Sequence, residues 1–519
     1  MSEGIESSSS PTFGKRIGFW LGLLAYFVIP YFLVLDPTTP LDERMAAIAA
    51  LMAIWWVSDA VPLAATSLLP IVLFPLAGIM DGDKVAPIYM NYVIFLYLGG
   101  FLIALAMERW NLHRRIALRI IRVIGSDPSR LVLGFILATA FLSAWISNTA
   151  TAIMMLAIGM AIIKQTETVF GVEKTSNLSV ALLLGIAYSA SIGGMATLVG
   201  TPPNIALVRL FDLSFPEAAA AGYQISFARW MLLGVPLAVV LLIATWLVLT
   251  RVCFRFPRDL RLDPEIVEDQ YRQLGPMSRE EKWVLAIFAG TALLWIFRAD
   301  LEIASIRIPG WSHFFPFGSF FDDGTVAIAM ALLLFILPVK RRDDSGQKIG
   351  MILDSSVFAK IPWHIVLLFG GGFAIAKGFQ SSGLSAWVGT QFTGLEGAPV
   401  PVLVASVCGI LTFLTEFTSN TATTEMVLPL LASISTATGI HPLLLMIPAT
   451  LSASCAFMMP VATPPNAIIF ASGRVRIGQM VKAGLLLNLI GIVVVTALFL
   501  LLGGPVFDVD STVLPVWAK

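Results

Sequence analysis

Residues 143–151 read Ser-Ala-Trp-Ile-Ser-Asn-Thr-Ala-Thr, and 272 positions further on residues 415–423 read Thr-Glu-Phe-Thr-Ser-Asn-Thr-Ala-Thr. The same shift carries Gly99-Gly100-Phe101 onto Gly371-Gly372-Phe373, and Ser143 onto Thr415. Thr201-Pro202-Pro203-Asn204 recurs as Thr463-Pro464-Pro465-Asn466, at a shift of 262. One shared pentapeptide is within reach of chance in a biased composition. Three elements repeated in the same order indicate a duplicated chain. Each Ser-Asn-Thr lies mid-way in an apolar stretch, 131–163 or 400–433. In the first it leaves arms of roughly 16 and 14 residues, about 21–24 Å of helix, short of a 30 Å hydrocarbon core. That predicts a re-entrant hairpin, whose irregular tip is tolerated only where it is buried or lines a cavity.

The surrounding composition supports a bilayer setting. The chain has 519 residues, 57% of them hydrophobic and 13% charged, with a mean hydropathy of +0.86. Soluble domains are about a quarter charged. Formal net charge is zero, which argues against a nucleic-acid partner. Cys253, Cys408 and Cys455 are scattered, without the spacing of a disulfide or metal site. The polar start lacks the features of a cleaved signal, so the run from Gly18 to Leu35 reads as a retained first helix.

Spanning helices are expected near 17–35, 43–58, 62–80, 88–108, 178–210, 230–250, 283–298, 324–339, 361–380, 443–470 and 482–503. With two hairpins, this gives an all-α polytopic membrane protein of eleven transmembrane helices. Positive charge sets its orientation. Lys15 and Arg16 place the N-terminus in the cytoplasm. Counting onward also places Arg109, Arg114, Arg115, Arg119, Arg122, Lys340, Arg341, Arg342, Arg474 and Arg476 inside. The linker 251–282, with Arg251, Arg255, Arg258, Arg261, Arg272 and Arg279, joins them. The C-terminus is then periplasmic. The expected organisation is a tail and first helix (1–40), a first repeat (41–250), the linker (251–282), a second repeat (283–503) and a tail (504–519). Segment 109–125 holds five arginines, while its counterpart 381–397 has no Lys or Arg. The repeats are therefore inverted, the pattern of secondary transporters with a site at the repeat interface.

Pro-Pro inside an apolar run breaks the helix and forces the preceding residue out of it. Each hairpin tip or break ends one helix and starts another. The new N-termini offer free N–H groups and roughly half a positive charge each. The ending helices offer carbonyls suited to Na⁺. Ser143 and Thr415 lie one turn before the tips, on the same face, and read as cation ligands or as helix-packing hydroxyls. Lys377 and Glu425 read as groups that snorkel or face a water-filled cavity. The role of Glu416 stays open at this stage.

The paired Ser-Asn-Thr and Thr-Pro-Pro motifs resemble the divalent-anion:sodium symporter family of di- and tricarboxylate carriers, over about residues 40–503. The resemblance implies a homodimer with an elevator mechanism. It implies one Na⁺ site at Ser143, Ser147, Asn148 and Gly200, and a second at Thr415, Thr418, Asn420 and Ala462. Substrate carboxylates would meet Ser147, Asn148, Thr149, Thr201, Pro202, Ser419, Asn420, Thr421, Thr463 and Pro464. The expected function is Na⁺-coupled uptake of a C4-dicarboxylate such as succinate across the inner membrane. No basic residue occurs in the four motifs, so cations travelling with the anion would balance its charge. A Na⁺-independent dicarboxylate exchanger is the main alternative, with citrate or sulfate as other substrates. An enzyme has no support: no HExxH, GxSxG, Walker A or clustered His/Cys pattern is present.

Overall fold

The computed structural model describes residues 13–32, 40–125, 127–221, 223–257, 260, 265–303, 306–339, 350–392, 394, 397–510 and 514–518. Arg258, Arg261, Lys340, Arg341 and Arg342 of the charge count lie outside the described residues. The chain opens with α1 (Phe13–Phe32), α2 (Pro40–Ser58), α3 (Leu63–Thr66), α4 (Leu69–Ala77) and α5 (Gly82–Val85). Next come α6 (Tyr92–Arg109), α7 (Leu112–Ile124), α8 (Pro128–Ser143), α9 (Asn148–Phe170), α10 (Val172–Met195) and α11 (Pro202–Ser214). Then follow α12 (Pro216–Ala220), α13 (Phe227–Leu247), α14 (Glu265–Arg272), α15 (Arg279–Ile296) and α16 (Asp323–Ile336). The last are α17 (Trp363–Ser382), α18 (Leu384–Thr390), α19 (Val400–Leu414), α20 (Asn420–Ala437), α21 (Leu443–Ala453), α22 (Pro464–Ala471) and α23 (Ile477–Phe507). One element departs from the all-helical expectation. A hairpin pairs β1 (Leu301–Ile303) with β2 (Ile306–Ile308), Leu301 opposite Ile308.

Among the described residues, six segments are long and apolar enough to cross a membrane, from Gly82–Arg109 to Ile477–Phe507, and five shorter apolar helices accompany them. Both repeated motifs fall where helices stop and restart. The backbone is extended at Ser147 (ψ 131°), Thr201 (ψ 142°), Ser419 (ψ 128°) and Thr463 (ψ 149°). Proline at the next position fixes this at Thr201 and Thr463, and then occupies the first helical turn, where its missing N–H costs nothing. The arms around the first tip differ from expectation. α8 has 16 residues but α9 has 23, so α9 is by itself long enough to span. Lys164 to Thr168 looked like the end of the apolar run. They continue the helix, Lys164, Gln165 and Glu167 being good helix formers and the Thr166 and Thr168 hydroxyls bonding back to the i−4 carbonyls. Gly171, at φ 83°, ends it.

The two halves interlock rather than stand side by side. α6 packs on α16 and α17 on α3, while α11 packs on α20 and α22 on α9. Glycine makes the tightest approaches possible. A Cβ on Gly99 would sit 2.5 Å from the Ala327 Cβ, and one on Gly371 would sit 2.7 Å from the Ser67 Cβ. At Gly193 on α10 it would sit 2.3 Å from the carbonyl oxygen of Ala140 on α8. Gly193→Ala is therefore expected to destabilise by about 3 kcal/mol, since a backbone atom must move. Gly409→Ala, whose Cβ meets nothing within 4 Å, is the matched control. Thermal unfolding in detergent checks the pair, and equal midpoints would overturn the packing argument.

The arginines assigned to one face bind each other's neighbourhood. Buried Arg115 holds Glu281 at 3.1 Å and the carbonyl of Gly275 at 2.9 Å, tying α7 to the linker. Arg122 pairs with Glu268 at 2.6 Å. Arg109 pairs with Asp354 at 2.7 Å, and hydrogen bonds from Ser356 and Arg109 hold the Asp354 carboxyl down at about 2. Lys15 pairs with Asp59, and Arg474 with Glu167.

Candidate functional site

Four helix N-termini converge on one cavity of about 630 Å³. They are the starts of α9, α11, α20 and α22. All ten residues expected at the substrate line it: Ser147, Asn148, Thr149, Thr201, Pro202, Ser419, Asn420, Thr421, Thr463 and Pro464. Gly200, Thr418 and Ala462 line it too, while Ser143 and Thr415 lie directly behind, fully buried. Ser147 does not cap α9, which leaves first-turn N–H groups without a side-chain acceptor and open to an anion. Exposed Asp59, His364, Phe417 and Val461 surround the mouth.

Behind each tip the oxygens outnumber the protons. Ser143 Oγ lies 2.6 Å from Asn148 Oδ1 and 2.7 Å from Ala190 O, yet one hydroxyl proton serves only one of them. Thr415 Oγ1 repeats this, 2.6 Å from Asn420 Oδ1 and 3.0 Å from Ala453 O. The Asn148 amide oxygen faces acceptors alone, with Ala190 O and Gly200 O each 3.2 Å from that position. Turning the amide would supply N–H donors; a monovalent cation would satisfy the same oxygens without turning it. Gly194 keeps this space clear, because its Cβ would come within 2.9 Å of Asn148 Oδ1. Thr418 differs from the other expected ligands. Its hydroxyl bonds Leu414 O at 2.9 Å and Thr423 Oγ1 at 2.6 Å, which leaves its backbone carbonyl for a ligand.

Several residues were missed by sequence reasoning. Asn204 Nδ2 donates to Gly194 O (3.1 Å) and Thr197 O (2.7 Å), and Asn466 Nδ2 to Ala456 O (3.1 Å) and Met459 O (3.0 Å). All three positions keep the shift of 262, so each amide folds its break loop back onto the new helix. The fourth letter of the Thr-Pro-Pro-Asn repeat was the available signal. Glu416 is a clamp. Its carboxylate accepts N–H bonds from Phe457 and Met459 at 2.8 Å and Met458 at 2.9 Å, plus the Asn488 amide at 2.7 Å. The first repeat has Ala144 there, whose carbonyl accepts from Thr197.

Glu425 corrects an expectation. It neither snorkels nor reaches the surface, being fully buried, with both carboxyl oxygens without a hydrogen bond among the described residues. Gly372 on α17 makes room for it, since a Cβ there would lie 1.7 Å from Glu425 Oε2. Lys377 does line a cavity, distinct from the one above.

Two symmetric pairs of helix restarts around one cavity, within a bundle of apolar helices, are the arrangement of a multi-pass membrane transporter. The family described as the sodium:sulfate symporter transmembrane region matches residues 18–508. The sodium-dependent dicarboxylate transporter SdcS of Staphylococcus saprophyticus is 41% identical, over 98% of this chain and 95% of its own length. The protein of that name in Staphylococcus aureus strain USA300 is 44% identical, over 93% and 90%. The chain belongs to the divalent-anion:sodium symporter family. Among solved structures, the Alcanivorax borkumensis YdaH transporter shares the fold at TM-score 0.57 and 14% identity, covering 95% of this chain and 99% of its own. Neisseria gonorrhoeae MtrF does so at 0.53 and 13%, covering 93% of each chain.

Proposed function

We propose that the protein couples Na⁺ entry to uptake of a C4-dicarboxylate such as succinate across the inner membrane. The observation that carries this reading is the pair of proton-poor oxygen clusters flanking one cavity fed by four helix N-termini. Nominally the N-termini supply about two positive charges to a dianion, while the clusters suit a small cation. Na⁺ would be held by Ser143, Ser147, Asn148 and Gly200 with the Ala190 carbonyl, and by Thr415, Thr418, Asn420 and Ala462 with the Ala453 carbonyl. The ten lining residues would hold the carboxylates. Relatives named as sodium-dependent dicarboxylate transporters support the ion and the substrate.

The same reading takes the chain as eleven spanning helices with two re-entrant hairpins, in repeats 41–250 and 283–503 joined by the linker 251–282. It works as a homodimer, by an elevator movement, with a cytoplasmic N-terminus and a periplasmic C-terminus. The pairing of Arg109, Arg115 and Arg122 with the linker and the loop before α17 supports that sidedness. In proteoliposomes, succinate uptake is expected to rise at least about tenfold on an inward Na⁺ gradient, since each Na⁺ entering down a tenfold gradient contributes about 1.4 kcal/mol. Equal uptake with choline in place of Na⁺ would instead establish exchange.

A further inference from the structure

A second cavity, of about 610 Å³, opens between the end of α4, α5 and the C-terminal halves of α11 and α17. Its charged lining consists of Lys84, Arg209 and Lys377 against one carboxylate, Asp81. Lys377 and Arg209 meet no carboxylate within the cavity. Lys377 Nζ has the neutral Gln380 Oε1 at 3.2 Å as its partner, and Arg209 Nε is buried without a hydrogen bond among the described residues. The carboxylate nearest Arg209 in sequence, Asp212, feels its charge but accepts from the Tyr92 hydroxyl and lines the neighbouring cavity instead. Asp81 is already matched by Lys84 at 2.7 Å. Arg44 stands at the rim, bonded to the Ala77 carbonyl at 2.9 Å. The neighbouring cavity, of about 930 Å³, behaves oppositely. There Arg298 meets Asp323 at 2.5 Å, Arg229 meets Asp508 at 3.1 Å and His313 meets Asp300 at 2.7 Å. The basic cavity therefore keeps two positive charges in excess, the complement of a dianion.

Its position gives that excess a use. His364, at the mouth of the central cavity, and Lys377 are thirteen residues apart on α17, about 20 Å of helix. The basic cavity thus lies towards the opposite face from that mouth. Arg209 is seven residues from Pro202 on α11, so about 10 Å of one helix joins the basic cavity to the central site. We propose that Arg209 and Lys377 form an outer capture site for the dicarboxylate dianion, which concentrates substrate beside α11 on the face where the central cavity is closed. The inference rests on the dicarboxylate reading above. Low-dielectric walls lined by one sign of charge raise the local concentration of the opposite ion, and salt screens the effect.

The test is initial-rate succinate uptake by cells carrying the full chain, at fixed saturating Na⁺, with choline chloride varying the ionic strength. Inside-out vesicles read the other face. For the Arg209→Gln/Lys377→Gln double variant, kcat/KM for external succinate is expected to fall about tenfold at low salt. Its decline with added salt should flatten, while kcat/KM from the other face moves less than about twofold. The charge-keeping Arg209→Lys/Lys377→Arg variant should keep the wild-type salt slope. Equal losses at both faces, a loss indifferent to salt, or unchanged external kinetics would each overturn the proposal. If the double variant fails to reach the membrane, Lys377→Gln alone makes the same comparison. A wild type that carries sulfate and not succinate overturns the substrate reading only. Sulfate, also a dianion, then serves as the probe, and the same salt comparison still decides the cavity.

Discussion

Asn148→Ala, and separately Asn420→Ala, should each cut Na⁺-driven uptake by at least about 100-fold, a loss of about 2.7 kcal/mol. Each asparagine opens a helix at a tip and stands in both proposed binding roles. The Asn148 amide meets the Ser143 hydroxyl at 2.6 Å and the Ala190 and Gly200 carbonyls at 3.2 Å. The Asn420 amide meets the Thr415 hydroxyl at 2.6 Å, which in turn lies 3.0 Å from the Ala453 carbonyl. A cation that loses a fixed amide ligand loses a preorganised contact, and unmet polar groups cost about 1–3 kcal/mol each. Initial rates against Na⁺ concentration check this. Either variant keeping wild-type Na⁺ affinity would remove that asparagine from the cation site. Ser143→Ala and Thr415→Ala should act more mildly, chiefly on apparent Na⁺ affinity, because the carbonyls remain.

Glu416→Ala is expected to be the most destabilising single change in the second repeat, by about 4 kcal/mol or more. It removes the acceptor of three backbone N–H groups of the 457–459 loop and of the Asn488 amide. Among the described residues, Phe457 alone of these N–H groups is left with another partner, Asn488 Oδ1 at 3.3 Å. Glu416→Gln keeps one oxygen but turns an NH₂ towards an N–H donor, so it should cost about 1–3 kcal/mol. Thermal unfolding in detergent measures both. The milder variant also separates a clamp from a proton carrier. With succinate ionisation allowed for, its uptake should keep the wild-type pH profile. A pH dependence that vanished in Glu416→Gln would assign the carboxyl to proton coupling.

The sequence reading located the four breaks that border the central cavity, because prolines and hydroxyl-rich tips inside apolar runs have few structural meanings. It missed the interruption between α3 and α4, inside the single helix expected over 62–80. All ten residues it named for the substrate do line the central cavity. What it missed depends on groups that carry no letter of their own. Ala190 and Ala453 enter through backbone carbonyls, and only the fold brings those beside Ser143 and Thr415. The Glu416 clamp needs three N–H groups some 40 residues away. The reach of α9 was underestimated because polarity was taken for a helix end, whereas glycine set it. Glu425 was misjudged because the slot over Gly372 belongs to another helix.

The cross-packing of the halves has a consequence for biogenesis. Gly99 waits for Ala327, about 230 residues downstream, and Ser67 for Gly371, about 300 downstream. When the ribosome has finished the first half, its helices sit in the bilayer with grooves shaped for partners not yet made. The starts of α9 and α11 gain α22 and α20 only when the last hundred or so residues emerge. Assembly is therefore late and long-range, the slow regime for chain folding. A nascent chain interrupted in the linker would carry half of each interface and no complete site, so quality control at the translocon has to tolerate an unfinished protein for most of its synthesis.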